Sequence, residues 1–495
     1  MTVLSDTGAS LRRRIRRLSL GRERVAVLGL TLATFAFYGG YSVLRQRALR
    51  TSGYDLGIFD QAVRQYSHFR APIVALKGPG YNIFGDHFHP IIAVIAPLYW
   101  IWDTPMVLLV VQAALIAASV PIVYRFTRRR TSAGAALIVC AAYVLSWSVQ
   151  GFVDFDFHEI AFAVPLLAGA IDALDREDDR TLAVCCMLLL LTREDMGAIV
   201  AVLGLLRMTR APRRFGALLI AIGAVVAAVA TAVIIPAFAP GGHFAYWTFD
   251  ALGRNLPDTV GTIIAHPWRA IRLLFSPEPK AQTLAYLFVP VALLPLRSRY
   301  ALIALPLLAE RFWNSRDNLW TTQYHYNLLP WLVLVLAMVD GAGRLTVWSR
   351  PRLKVALLAW VALVPLLMIQ WHGPTIPVIK RMADGQMWHF DAHQHSKQAA
   401  LRLIPRNVCV AVDDRVAPQL TNRDRVTIPG IGGPQPDFVI LDLTHPVMYR
   451  GTDSKVVLSQ LTARRYRTLY DNELIVVLRS PDYRGPSARC TPTSN

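Results

Sequence analysis

The sequence predicts an all-α polytopic membrane bundle that carries a small α/β domain at its C-terminal end. Only 17% of the 495 residues are charged and 54% are hydrophobic, whereas a soluble chain carries about a quarter charged residues. The apolar stretches 24–44, 215–238 and 353–371 are long enough to cross a hydrocarbon core, which takes roughly 20 residues. Charge is sorted between the apolar stretches: arginine clusters alternate with short motifs of aspartate, glutamate and histidine.

The basic clusters are 12–17 with Arg22 and Arg24, Arg125 with 128–130, 207–214, Arg297 with Arg299, and 344–354. Membrane proteins keep basic loops in the cytoplasm, so 1–23 is expected as a cytoplasmic tail. Membrane orientation and anionic headgroups account for the net charge of +19, and no nucleic-acid partner is expected. The first apolar span is too long for a signal-peptide core and no small-residue cleavage site follows it, so it is expected to be retained.

Crossing at 24–44 makes 45–103 an external loop. Within it, 90–102 spans only about 20 Å as a helix, at about 1.5 Å per residue, and is expected to be interfacial or re-entrant. The return at 104–124 puts Arg128 inside. Further crossings at 132–150, 160–174, 214–238, 283–296, 300–309, 327–343 and 353–371 keep the remaining basic clusters inside. Residues 181–206 start and finish inside as a short hairpin with Arg193-Glu194-Asp195 at its tip; each arm reaches about 18 Å. The total is about eleven transmembrane helices within 24–371.

Beyond Trp371 a linker, 372–395, leads to an extracytoplasmic α/β domain at 396–482 and a tail at 483–495. Apolar runs rich in β-branched residues at 408–412, 438–443 and 474–478 are strand candidates. The spacing of Val457, Leu458 and Leu461 predicts a helix over 454–465, and the glycines and prolines of 429–434 predict a loop. Cys140, Cys185 and Cys186 fall in apolar spans as packing residues, while Cys409 and Cys490 could form a disulfide in an oxidising compartment.

The chemistry is expected on the acidic and histidine side. Asp55 is either a functional carboxylate or the N-cap of an amphipathic helix over 57–69 that lies on the membrane. Asp60 is either a second such carboxylate or a partner for Arg64 one turn on. Asp86-His87-Phe88-His89 supplies metal ligands or phosphate contacts ahead of Pro90. In Asp154-Phe155-Asp156-Phe157-His158-Glu159 an extended backbone would point Asp154, Asp156 and His158 the same way, a donor set suited to a divalent cation; a solvated turn is the alternative. Arg193 at its hairpin tip either clamps a phosphate or pairs with Glu194. His325, in Tyr324-His325-Tyr326, is a further candidate, whereas His389, Asp391, His393 and His395 look like a solvated linker. The chain has no phosphate-binding Walker loop, dinucleotide glycine fingerprint, HExxH, GxSxG or CxxC pair.

With these residues in view the chain resembles a family of bacterial polytopic membrane proteins of unknown function, which in turn resembles the GT-C glycosyltransferases, among them protein O-mannosyltransferases and the lipid A aminoarabinose transferase. The likeness covers roughly 24–345 and rests on Tyr54-Asp55 after the first span, His89-Pro90 opening a short helix, Tyr124-Arg125, and Leu191-Thr192-Arg193 in the hairpin. The acidic pair of those enzymes is reduced here to Asp55, with Asp60 five residues on, and their second proline is Ile91.

The resemblance implies a multi-pass protein of the bacterial plasma membrane with a cytoplasmic N-terminus and an extracytoplasmic C-terminus. It implies an inverting transferase that moves a sugar from a polyprenyl-phosphate donor to an envelope acceptor: a glycan, a lipid or a protein. Asp55 would be the base, with Asp60 nearby. Asp86, His87, His89, Arg193, Glu194 and His325 would bind donor and phosphate. Asp154, Asp156, His158 and Glu159 would hold a divalent cation, Mg or Mn, if one is used. The competing class is a non-enzymatic transporter or lipid-handling protein, whose buried ionisable groups would couple to protons or bind a headgroup.

Overall fold

In a computed structural model, which describes residues 3–370, 374–430, 435–444 and 453–486, the chain forms a helical bundle with a five-stranded sheet domain at its C-terminal end. A single helix, Val3–Arg47, sets the scale. Near its middle Glu23 accepts hydrogen bonds from Tyr124 (3.0 Å) and Arg128 (3.0 Å), and at its end Arg45 pairs with Asp156. The intervening 22 residues rise about 33 Å, close to the roughly 30 Å of a hydrocarbon core. The two charge sets therefore occupy opposite ends of the bundle.

At the basic end several arginines meet acids, most of them carried by neighbouring helices. Arg125 reaches Asp172 (2.9 Å), Arg129 reaches Asp175 (2.7 Å), and Arg344 and Ser298 both reach Asp340 (2.8 and 2.7 Å). Such pairing is what allows charges to persist beside hydrocarbon.

Among the described residues five helices are long and apolar enough to cross a bilayer: Gly21–Arg47, Met106–Arg128, Arg213–Phe238, His325–Arg344 and Pro351–Ile369. The count is six if Ala133–Val144 and Trp147–Asp154, bent by 41°, make one span. The other expected crossings are shorter: Ala163–Arg176, Asp179–Leu189, Met196–Arg207, Glu278–Phe288 and Ala304–Phe312. Apolar length alone therefore supports fewer spans than charge parity suggests. Leu328–Arg344 is the axis of the bundle, buried at every position from Leu328 to Ala342, and Trp331 donates its indole N–H to the Tyr143 carbonyl (3.2 Å).

The second hairpin arm, Met196–Arg207, packs on Arg213–Val229 through opposed glycines. A Cβ on Gly204 would meet the Gly216 carbonyl oxygen at 2.6 Å, one on Gly216 the Gly204 oxygen at 2.5 Å, and one on Gly197 the Gly223 oxygen at 2.4 Å. Small residues let helix backbones approach this closely in lipid.

The C-terminal sheet runs β2-β1-β3-β5-β4, from β1 (Cys409–Val412), β2 (Arg425–Thr427), β3 (Phe438–Asp442), β4 (Arg467–Asp471) and β5 (Ile475–Arg479). The first three strands are parallel and the last two antiparallel to their neighbours. Strands β1, β3 and β5 coincide with the expected apolar runs. Strand β2 has three residues and β4 is largely exposed, so neither carries an apolar signal. Helix Ser454–Ala463 lies where the spacing predicts one. Helix Ala392–Arg402 begins inside the expected linker, opened by a capping box of Asp391 and Gln394. His393 is not solvated linker either: it bonds to Asp442 of β3 at 2.7 Å. Cys409 is disulfide-bonded; Cys490, and residues 431–434 of the expected loop, lie outside the described residues.

One expectation about the first loop is corrected. Helix Ile58–Ser67 does not lay its apolar face on the membrane. Ile58, Phe59, Ala62 and Val63 are buried in a core shared with Val410, Val412, Ala417 and Val426 of the sheet domain. Docking on the protein removes the same face from water that a bilayer would.

The glycine contacts give a direct test. Gly216→Ala is expected to destabilise the protein by about 1–3 kcal/mol through overpacking, seen as a lower unfolding midpoint in detergent. Gly134→Ala, in a helix with nothing within 4 Å, is expected to leave the midpoint unchanged or raise it slightly.

Candidate functional site

The first loop leaves Arg47 and turns sharply at Gly53–Gly57. Ser52 accepts a bond from the Tyr54 N–H (3.2 Å), and Asp55 takes φ +86°, ψ −70°. Few non-glycine residues adopt that backbone, and those that do cluster at functional sites. The turn aims the Asp55 carboxylate at His158, with Oδ2 3.1 Å from Nε2. This is the one polar contact of that carboxylate among the described residues.

His158 is placed by the motif that precedes it. Helix Trp147–Asp154 ends at Asp154, and Asp156 adopts φ +64°, so the segment is kinked and its side chains diverge. Asp154 receives Tyr41 and Arg381 (Arg381 Nη2 at 3.2 Å). Asp156 receives Arg45 and the Ser52 N–H (2.8 Å). The His158 N–H donates to Gln112 Oε1 (2.9 Å), and Phe157 packs edge-on against Phe59 with centroids 5.3 Å apart. The His158 ring lies 3.6 Å from that of His325.

The hairpin tip supplies the cation. Arg193 binds Asp195 in a fork, Nε to Oδ1 at 2.8 Å and Nη2 to Oδ2 at 2.5 Å, and lies 3.7 Å from Glu159 and 4.0 Å from Glu310. The tip is tied to the first loop because the Ile91 N–H donates to the Leu191 carbonyl (3.1 Å). Glu194 accepts from His87 Nδ1 (2.6 Å) and from the Phe88 N–H (3.0 Å). His87 stacks on Tyr246 at 4.3 Å and 17°. Tyr246 donates to Asp86, whose other oxygen holds Lys77 at 2.6 Å.

Two groups in this loop have displaced proton affinities. Burial disfavours a charge on His87, but the Glu194 carboxylate, helped by Asp86, outweighs it and raises the imidazole to about 9. Burial also pushes Asp86 up, yet Lys77 and His87 hold its carboxyl down to about 2. The first loop therefore presents a protonated imidazole at neutral pH.

Asp55, Asp86, His87, His158, Glu159, Arg193, Glu194 and His325 all line one cavity of about 540 Å³. Four expected site residues do not. Asp60 is fully buried and bonded to Arg64 (3.2 Å) and Tyr99 (2.8 Å), the pairing that the one-turn spacing allows. His89 lies behind the cavity against Phe59, with ring centroids 5.5 Å apart. Asp154 and Asp156 face the end of the first helix. The kink at Asp156 also undoes the expected ligand set: Asp154 and Asp156 turn to Arg45, His158 meets Asp55, and Glu159 lies beside Arg193. Among the described residues no group of three or more His, Cys, Asp or Glu side chains is arranged to hold a metal. The donor set does not fit a divalent cation, because Arg45, Arg381, Tyr41 and a backbone N–H already occupy the Asp154 and Asp156 oxygens.

Sequence reasoning missed Lys77, Tyr246, Glu310 and Arg311 in the cavity wall. Glu310-Arg311 carries the signal that singled out the hairpin tip, an ionic doublet abutting an apolar run. Tyr246 lies among other aromatic residues and offered none.

The family model described as "Predicted membrane protein (DUF2079)" matches residues 45–476. Among solved structures the chain is similar to ArnT from Cupriavidus metallidurans bound to undecaprenyl phosphate, with 11% identity and a TM-score of 0.49 over 92% of this chain and 97% of that one. It is similar to the same protein in the apo state at 11% identity and a TM-score of 0.49, over 93% and 98%. No curated protein matches the chain.

The His87–Glu194 pair sets a pH dependence. Because the folded-state value of about 9 lies above the ordinary 6.5, the pair's contribution to stability is complete below about 6.5 and is lost as pH rises through about 9. Unfolding midpoints measured from pH 6 to 10 should fall across that window in the wild type. In Glu194→Gln the fall should flatten; an unchanged slope would contradict the assignment.

Proposed function

The chain belongs to the DUF2079 family of predicted membrane proteins, and we propose that it is a membrane glycosyltransferase that moves a sugar from a polyprenyl-phosphate donor to a hydroxyl of an envelope acceptor. The observation that carries this reading is the contact of Asp55 with His158 in the wall of a cavity that also holds Arg193 and His87. Of the cavity carboxylates, Asp86 is matched by Lys77, and Glu159, Asp195 and, at 4.0 Å, Glu310 by Arg193. Glu194 has both an imidazole and a backbone N–H. Asp55 meets a single imidazole, which leaves its second oxygen open to a substrate proton.

The chemistry then needs two things from the protein. Asp55 accepts the proton of the acceptor hydroxyl as its oxygen attacks the anomeric carbon, a general-base role. The bond from that carbon to the phosphate oxygen breaks with its electron pair on the phosphate. Arg193 and protonated His87 face the resulting charge, where preorganised donors lower the barrier. Attack opposite the leaving group inverts the anomeric centre. No step runs through a metal. On this reading the sheet domain faces the cell exterior, where acceptors are found, and the basic end faces the cytoplasm.

The test is transfer, or donor hydrolysis, by purified protein given polyprenyl-phosphate sugars. Asp55→Asn is expected to lower turnover by about 100-fold or more while leaving the affinity for undecaprenyl phosphate unchanged; Arg193→Ala is expected to weaken that affinity. Full turnover in Asp55→Asn would overturn the base assignment. Proton or solute flux in proteoliposomes without donor would favour a transporter.

A further inference from the structure

The turn that carries Asp55 is held from outside the bundle. Strand β1 ends at Val412, the Asp413 N–H extends its ladder to the Ile440 carbonyl (3.0 Å), and the chain turns through Asp414 into Ala417. On that edge Asp414 makes two bonds to the first loop. Its carboxylate Oδ2 accepts from the Ser52 hydroxyl at 2.8 Å, and its carbonyl accepts from the Gly53 N–H at 2.5 Å. Gly53 fits only because it has no side chain: a Cβ there would lie 2.5 Å from Ala417 Cβ and 2.9 Å from the Asp414 oxygen. On the bundle side the Ser52 N–H donates to Asp156 (2.8 Å). Residues 52 and 53 are thus gripped from both sides, two positions before a backbone that few aspartates adopt.

We infer that the C-terminal sheet domain is a positioning device for the site, with Ser52, Gly53 and Asp414 forming a latch that holds the Asp55 carboxylate against His158. The inference rests on the proposed role of Asp55 as base and adds the element that fixes its geometry. An unusual backbone persists only where the surroundings over-determine it. The remainder of the seam supplies attachment rather than aim: Gln61 donates to the Val426 carbonyl (2.8 Å), Lys397 reaches the Leu49 carbonyl (3.4 Å) and Arg50 pairs with Asp391 (3.2 Å). Ser52, Gly53 and Asp414 are positioning residues, acting through Asp55.

The experiment uses the full chain in detergent, with two readouts. Ser52→Ala removes one hydroxyl, and with it both the bond to Asp414 and the one from the Tyr54 N–H, but leaves every packed side chain in place, so it does not threaten folding; Asp414→Asn, its counterpart across the seam, perturbs the latch alone and leaves the Ser52 oxygen to Tyr54. Each is expected to lower kcat for sugar transfer or donor hydrolysis by about 10- to 100-fold, the scale of a small misplacement of a reacting group, with KM for the donor and affinity for undecaprenyl phosphate unchanged. Each is also expected to speed amide hydrogen exchange at residues 53–57. Gly53→Ala is expected to do the same, and Ala417→Gly added to it to restore part of the loss by removing the closest contact. Gln61→Ala, which breaks a seam bond elsewhere, is expected to leave turnover at the wild-type level. Wild-type exchange at 53–57 in both Ser52→Ala and Asp414→Asn would overturn the latch, as would faster exchange with unchanged kcat. If Asp55→Asn itself keeps full turnover, the base assignment is what fails; the exchange measurement still reports whether the sheet domain holds the turn.

Discussion

An ionisable side chain beside hydrocarbon must be answered by another charge or a hydrogen bond, and that constraint organises this molecule. At the basic end it draws arginines from separate loops onto Asp172, Asp175 and Asp340. At the other end it draws the first helix onto Asp154 and Asp156 through Arg45 and Tyr41, and the first loop onto the hairpin tip through His87 and Glu194. What remains after this pairing is informative. Asp55 faces the cavity with one histidine and, among the described residues, no arginine or lysine bonded to it.

The same constraint explains how motifs spread over some 270 positions, from Asp55 to His325, come to line one cavity. No single motif is a site. His158 is delivered by a helix end and a kinked turn, Arg193 by a hairpin too short to cross, and His87 by a loop clamped to that hairpin. Each segment is positioned by apolar packing elsewhere along its length, and only the polar tips meet.

Much of this was legible in the sequence, for a physical reason. Charges that interrupt apolar spans are costly, so Asp55, His87, His158, Arg193 and His325 stood out before any contact was known. What the sequence did not disclose is direction. Alternation suggested that Asp154, Asp156 and His158 share a face, but that holds only for extended backbone, and the φ of +64° at Asp156 leaves the two aspartates on Arg45 and His158 on Asp55. Asp60 and His89 carried the same kind of signal as Asp55 and turned inward, to Arg64 and to Phe59. The apolar face of Ile58–Ser67 was plain, but periodicity cannot distinguish a bilayer from a docked domain. The grip of Asp414 on Ser52 spans 362 positions and leaves no local trace.

The most direct measurement is an experimental structure with undecaprenyl phosphate bound. The phosphate is expected against Arg193 and His87, with its lipid chain leaving the cavity toward the bilayer and the Asp55 carboxylate facing the open space beside it. A phosphate bound among the arginines of the opposite end, or an Asp55 side chain turned away from the cavity that holds the phosphate, would contradict this expectation.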